Sequence, residues 1–155
     1  MPLVSVLMPI YNTNTSHLKS AIESILCQSF TDFEFLIYND GSTDTSLDGL
    51  INSFIDKRIS YYSSKKNIGI SQVRNLMVSL AKGKYLAVMD HDDIAVPNRF
   101  KLQVEFLEEN PDVGICGGFQ KRFGSILKRK IVKYPTSDEE IRVSLFFYCA
   151  ILHPS

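Results

Sequence analysis

Residues 84–99 read KYLAVMDHDDIAVPNR. Tyr85, Leu86, Ala87, Val88 and Met89 form an unbroken apolar run, the length of a strand and too short for a buried helix. The run stops at Asp90, His91, Asp92 and Asp93, and Pro97 then opens a helix-like segment at the position proline tolerates best. Three carboxylates so close together repel one another unless a positive charge sits among them. Oxygen-rich clusters of this kind suit a hard cation such as Mg2+ or Mn2+, with waters or substrate phosphates completing the shell. The plainer alternative is that Asp92 or Asp93 caps the helix near Pro97 and the other acids are solvated loop charges. On this stretch alone both readings stand.

Upstream, the same strand-then-polar-turn pattern repeats. Leu3 to Ile10 is a β-rich apolar run ending in Pro9, Ile10 and then Tyr11-Asn12, and Thr13 to Ser16 supply helix-start chemistry. Leu18, Ala21, Ile22, Ile25 and Leu26 recur at helical spacing. Phe33 to Tyr38 predicts a second strand, closed by Asn39-Asp40-Gly41-Ser42, and Leu47, Leu50, Ile51 and Phe54 mark a second helix. Ile59 to Tyr62 predicts a short third strand followed by Asn67 and Gly69, and Ile70, Val73, Leu76, Met77 and Leu80 a third helix, stopped at Gly83. After the acidic turn, Phe100, Val104 and Leu107 mark a helix from Pro97 to about Glu109, and Val113 to Cys116 predict a fifth strand. Strands alternating with helices imply an α/β fold: a mainly parallel sheet with helices on both faces. Ligands of such sheets bind beyond the carboxyl ends of the strands. The special residues of this chain gather there four times over, after each of the first four strands.

Downstream the pattern changes. Phe119 to Tyr134 alternates loosely around Gly124-Ser125, which predicts a β-hairpin near the C-terminus. Its Lys121, Arg122, Lys128, Arg129, Lys130 and Lys133 make a basic ribbon, either a solvated face or a peripheral contact with phosphates or a membrane surface. Ser137 to Glu140 has the spacing of a capping box and predicts a last helix through Phe147.

The 155 residues predict a single domain. Lys plus Arg (17) equals Asp plus Glu (17), which argues against a nucleic-acid partner. No apolar run reaches the ~18 residues that span a bilayer, and MPLVSVLMPIYN lacks the basic start of a signal peptide. Cys27, Cys116 and Cys149 sit among apolar residues without zinc-site spacing, and read as small buried thiols of a reducing compartment. The expectation is a cytoplasmic protein. The chain stops at CAILHPS inside an apolar segment, which reads as a truncated chain.

An aromatic (Tyr11), a lone acid on a turn (Asp40) and an acid cluster (Asp90, Asp92, Asp93) meet at the carboxyl edge. Arg74 lies near the start of the third helix, beside its apolar stripe; it is either a cation of the site or a snorkelling side chain with its head in solvent. A flat ring with a carboxylate suits a nucleobase, and an acid cluster with an Arg suits a diphosphate held through a bridging metal. The inferred ligand is a nucleoside diphosphate derivative. Neither Gly-x-x-x-x-Gly-Lys-Ser/Thr nor GxGxxG is present, which excludes a P-loop NTPase and argues against a dinucleotide fold.

VSVLMPIYN, QSF-x-x-FE-x-LIYNDGSTD, N-x-G-x-x-x-x-RN, and GKYLAVMDHDD followed by P-x-R resemble the family 2 glycosyltransferases, which have the GT-A fold. The resemblance covers Val4 to Arg99 and, more weakly, the remainder. It implies that Tyr11 stacks on uracil, that the backbone of Pro9 faces the base, and that Asp40 pairs with the uracil imide. Asn12, Gly41, Ser42 and Asn67 belong to the same nucleotide-binding turns. Arg74 is implied near the pyrophosphate, Asp90 near the ribose, and Asp92 on a Mg2+ or Mn2+ ion with Asp90 and Asp93 beside it. The family usually has Asp where Asn39 stands, and the neutral amide weakens the negative field there.

The implied chemistry is inverting transfer of a sugar from a nucleotide-sugar donor, a UDP-sugar, to a hydroxyl of a glycan or lipid-linked acceptor, at the inner face of a membrane. The family's catalytic base lies in the acceptor-binding half, beyond Ser155. His153 resembles a family His without an assignable role, His91 is the variable middle of the DxD motif, and His17 is a helix-surface residue. The alternatives are a sugar-phosphate nucleotidyltransferase, a receiver-type regulatory domain, and a nucleotide-sugar-binding fragment without activity. The first would want a Gly-rich basic loop where YNTNTS stands; the second, an acidic pair after the first strand.

Overall fold

The computed structural model describes residues 1–122 and 130–152. Four parallel strands, β1 (Val4–Ile10), β2 (Phe33–Asp40), β3 (Ile59–Ser64) and β4 (Tyr85–Val88), form one sheet in the order β3-β2-β1-β4. Four helices alternate with them: α1 (Thr15–Leu26), α2 (Ser46–Asn52), α3 (Ile70–Leu80) and α4 (Arg99–Glu109). Every residue of β1 is buried, which is why it reads as a continuous apolar run rather than an alternating one. One face carries Val6, Met8, Phe35 and Ile37 against Leu18, Ile22 and Ile25 of α1, Leu47 and Ile51 of α2, and Phe100 and Val104 of α4. The other carries Leu7, Leu36 and Tyr38 against Val73 and Met77 of α3. Helices therefore cover both faces, as the alternation predicts. At roughly 25 cal/mol per Å2 of apolar surface removed from water, this two-sided burial is the main force holding the strand ends in place.

Helix ends follow local chemistry. Asn14 caps α1, its Oδ1 accepting the Ser16 and His17 amides at 2.8 and 3.3 Å. The start of α4 differs from expectation: it begins at Arg99, two residues after Pro97, so Asp92 and Asp93 lie too far upstream to cap it. The helix-cap reading of the acid cluster is thereby removed.

Two further expectations are corrected. Val113 to Cys116 forms no strand; the segment is irregular and Ile115 is exposed. A strand needs a neighbour to complete its ladder, none pairs with it among the described residues, and Gly114, Gly117 and Gly118 give it little side chain to pack. Cys27 and Cys149 are exposed and Cys116 is half-buried, so none is the fully buried thiol expected. Cys27 stands two positions past Ile25, about 200° around the helix, and so faces away from the core.

The chain divides into two compact units, 1–104 and 105–155. In the second, β5 (Gln120–Arg122) and β6 (Lys130–Val132) pair antiparallel with Lys121 opposite Ile131, the predicted hairpin. The turn expected at Gly124 and Ser125, Lys128 and Arg129 of the basic ribbon, and His153 lie outside the described residues. Helix α5 (Asp138–Ser144) is capped by Ser137, whose Oγ accepts the Glu140 amide at 3.3 Å. It stops short of Phe147 because its bonds tighten to i+3 spacing, Phe146 N to Val143 O and Phe147 N to Ser144 O. Among the described residues no helix is long and apolar enough to cross a membrane.

Candidate functional site

β1 pairs with β2 up to Ile10 opposite Asn39, but with β4 only up to Leu7 opposite Val88. In the order β3-β2-β1-β4 the chain leaves β1 toward β2 while β4 lies on its other side, and ligands of such sheets bind at the carboxyl edge where the strand order reverses. A 230 Å3 cavity lies at this edge. Pro9, Ile10 and Tyr11 from β1 and its loop, Asp40 from β2, and Asn67, Gly69, Ile70 and Val73 from the start of α3 line it. Ile70, predicted for the helix core, is instead half-exposed and forms cavity wall. Tyr11 is 46% exposed, a ring with an open face.

Asp40 is 3% exposed, and a carboxylate is that deeply buried only when its charge is answered. Its two oxygens accept the amides of Ile68 and Gly69 at 2.9 and 3.0 Å, and its carbonyl accepts Asn67 Nδ2 at 3.2 Å. Asp40 thus fixes the loop that forms the cavity floor, and each carboxylate oxygen keeps acceptor capacity beyond these bonds. Gly41 permits this closeness. Its φ is +73°, and a Cβ there would stand 2.8 Å from both Asn67 N and the Lys66 carbonyl carbon.

Beside Asp40 runs a chain of hydrogen bonds across three strand ends. Tyr61 of β3 donates its hydroxyl to Asp48 of α2 in a short bond, and Asn39 Nδ2 donates to the same carboxylate at 3.1 Å. Burial first, and then that bond, push the Tyr61 phenol up to about 12. Asn39 Oδ1 accepts the Ser42 amide at 2.9 Å, and Ser42 Oγ accepts the Asn12 amide at 2.9 Å. Asn12 Oδ1 accepts the Thr43 amide at 2.9 Å and holds a φ of +45°. Gly41, Ser42 and Asn12 therefore act as struts. Asp48 and Tyr61 carry no motif, and Tyr61 reaches Asn39 only because β3 pairs with β2.

At the acidic end, Arg74 Nη2 donates to Asp90 Oδ1 at 3.1 Å. Arg74 is therefore not a snorkelling side chain; its head turns into the edge. Its buried Nε has no hydrogen-bond partner among the described residues, an orphan donor that an anionic acceptor would satisfy. Asp92 is exposed. The Asp93 carboxyl is pushed above the usual range, first by partial loss of water and then by the Asp92 and Asp90 charges, against the pull of Arg99 and His91. His91 Nδ1 lies 2.7 Å from Thr13 Oγ1. The loop that follows is tied to α1: Ala95 N donates to Ser24 Oγ, Gln28 Nε2 to the Val96 carbonyl, and Ser29 N to the Pro97 carbonyl. Gln28 is 4% exposed, and its Oε1 also accepts the Phe100 amide, so the Gln of QSF staples this loop to the start of α4.

Among the described residues no three His, Cys, Asp or Glu side chains gather into a set that would hold a metal alone. The donor chemistry fits a cation held by one or two carboxylates and completed by phosphate oxygens and water, the mode usual for Mg2+. The Asp92 and Asp90 charges, which add to the effect of burial at Asp93, are what such a cation would relieve.

A parallel sheet with an aromatic-walled cavity and an acid–Arg pair at its carboxyl edge defines an α/β protein suited to a ligand with a flat end and an anionic end. The chain belongs to glycosyl transferase family 2, whose family model matches residues 5–152. It is 38% identical to an uncharacterized glycosyltransferase of Methanocaldococcus jannaschii, over 99% of this chain and 54% of that protein. It is 35% identical to one of Haemophilus influenzae, over 95% of this chain and 48% of that protein. The chain thus spans about half the length of these curated relatives. Among solved structures, S. aureus TarS 1–349 in complex with UDP-GlcNAc superposes with a TM-score of 0.64 at 24% identity, over 72% of this chain and 32% of that one. The mannosyltransferase PcManGT of Pyrobaculum calidifontis, in complex with GDP-Man and Mn2+, gives 0.59 at 21% identity, over 68% and 32%. At these identities the likeness establishes the GT-A-type fold.

Proposed function

We propose that this glycosyltransferase takes a UDP-sugar donor at the carboxyl edge of its sheet and transfers the sugar with inversion to an acceptor hydroxyl, with a divalent metal. One observation carries the reading. An aromatic-walled cavity with a buried carboxylate (Tyr11, Asp40) shares an edge with an Arg–carboxylate pair whose guanidinium keeps an unpartnered buried N–H. Tyr11 stacks on the base, Asp40 accepts the imide N–H, and Pro9 and Asn67 complete the base cavity. Arg74 donates to the diphosphate through the N–H that is otherwise orphaned. Asp92, with Asp90 and Asp93, would hold Mg2+ or Mn2+, which when bound neutralises charge on the departing diphosphate. The acceptor oxygen forms its bond to the anomeric carbon as the bond from that carbon to the diphosphate breaks, and the hydroxyl proton passes to a general base. Residues 1–155 make one donor-binding module. The acceptor is a glycan or lipid-linked glycan at the cytoplasmic face of a membrane, a reading supported by the exposed Lys121, Arg122 and Lys133.

Calorimetric titration of UDP in Mn2+, in EDTA, and against GDP tests the proposal. The expected result is metal-dependent binding of UDP in preference to GDP, lost in Asp92→Ala and weakened at least tenfold in Arg74→Met. Equal binding in EDTA would remove the metal, and a preference for GDP would remove the uracil assignment.

A further inference from the structure

The loop that carries Tyr11 is held from two sides. Toward β2, Asn12 exchanges hydrogen bonds with Ser42 and Thr43, keeping a left-handed backbone at φ +45°. Toward β4, Thr13 turns its hydroxyl inward, is only 8% exposed, and meets His91 Nδ1 at 2.7 Å. That contact has no counterpart in the sheet itself. The β1–β4 register ends at Leu7 opposite Val88, and the Met89 amide gives its bond to the Leu7 carbonyl. Past that point the register ends, and Thr13–His91 connects the two segments beyond the ladder. His91 is flanked by Asp90, which holds Arg74, and by Asp92. A single hydrogen bond therefore joins the aromatic wall of the cavity to the turn that carries the acids.

We propose that His91 is a positioning residue: through Thr13 it couples the nucleobase end of the cleft to its acidic end, so that seating a base against Tyr11 aligns Asp90 and Asp92. Resting on the UDP-sugar reading above, the inference gives a task to the middle residue of the DxD motif, which otherwise reads as a spacer. Seating a ring on Tyr11 fixes the Tyr11–Thr13 backbone, and the short Thr13 side chain leaves little slack before His91 follows. The backbone of the acidic turn moves with His91, because Asp90 and Asp92 are its covalent neighbours. The ion pair of Asp90 with Arg74 carries the same constraint onward to the orphaned guanidinium N–H.

A bond that only fixes the fold and a bond that couples the two ends are told apart by the metal-dependent part of the affinity. Thr13→Val keeps the shape and removes the hydroxyl; Thr13→Ser keeps the hydroxyl. Calorimetric titrations of UDP in Mn2+ and in EDTA, and of uridine, on the wild type and both variants give the ratio by which metal strengthens UDP binding. The expected outcome is a ratio about tenfold smaller in Thr13→Val, the scale of one lost hydrogen bond. Uridine affinity should stay within about twofold of wild type, and Thr13→Ser should restore the ratio. His91→Asn, which keeps a polar atom near the Nδ1 position, should fall nearer the wild type than His91→Ala. An unchanged ratio in Thr13→Val, or a ratio that Thr13→Ser fails to restore, overturns the inference while leaving the donor assignment intact. A wild type that binds no UDP removes the donor assignment, and the inference with it.

Discussion

Replacing Asn39 by Asp would install the residue the family usually carries, and here it should destabilise the protein. Asn39 is 3% exposed, and its Nδ2 lies 3.1 Å from a carboxylate oxygen of Asp48, which also takes the Tyr61 hydroxyl. In Asn39→Asp two carboxylates would face each other where an amide now donates. At that separation their repulsion is about 5 kcal/mol for an effective dielectric of 20. The pair can instead share a proton, and protonating one carboxylate at pH 7 costs about 4 kcal/mol from an ordinary pKa near 4. Asp48 is partly solvated, which screens the repulsion, so the expected loss at pH 7 is about 2–3 kcal/mol. The sign with pH follows from which state holds the proton. The shared carboxyl has a raised folded-state pKa, so the penalty is present at neutral pH and is relieved as pH falls toward 5. Urea unfolding of the wild type, Asn39→Asp, Asp48→Asn and the double variant, at pH 7.5 and pH 5, reads this directly. The double variant restores one amide and one carboxylate with the roles reversed, and should recover at least half of the loss. Equal stability of Asn39→Asp and the wild type at pH 7.5, or a double variant no better than Asn39→Asp, would refute the reasoning.

Other perturbations have definite expected outcomes. Gly41→Ala strains a φ of +73° and drives a Cβ against Asn67 N and the Lys66 carbonyl carbon, both backbone atoms. It should cost roughly 2–4 kcal/mol in urea unfolding and abolish UDP binding in titration, because the floor of the cavity is the loop it displaces. Asp56 is bonded by the Arg58 guanidinium, which holds its carboxyl below the usual range. Its folded-state pKa is depressed, so the stability it lends is present above about pH 4 and is lost as pH falls through the folded value. Melting temperatures of the wild type and Asp56→Asn should therefore converge on acidification below about pH 4, and parallel curves would contradict the assignment.

Much of the first unit was legible because its physics is local. β1 and β2 are buried on both faces, so they read as unbroken apolar runs, and each ends in residues that a ligand edge requires. Pro9, Tyr11 and Asp40 stood out for that reason, and one cavity gathers them with Asn67, which follows β3. What escaped depends on contacts between distant residues. The Asp48–Tyr61 pair needs β2 beside β3, and Thr13–His91 needs β1 beside β4; nothing in either residue's neighbourhood announces the partner. The Asp40 carboxylate stood out at the end of β2, while its bonds to Ile68 and Gly69 did not. Val113 to Cys116 misled because apolar content says a segment can be a strand, and only a neighbour with open hydrogen bonds makes it one. Pro97 misled by two residues, since its carbonyl is engaged by Ser29 before the helix begins.

The unequal pairing of β1 has a consequence for how the protein breathes. Its ladder with β2 runs the full strand, whereas its ladder with β4 covers only Val4 to Leu7. Sub-global opening is expected to begin at the less tied side, and β4 carries the acidic turn. Amide exchange at the β4 bonds, such as Met89 N to Leu7 O, should then report openings that the β1–β2 amides never experience. A donor seated across Tyr11 and Asp90 would close that seam, so its protection against exchange should be concentrated on this one edge and leave β2 at its resting rate.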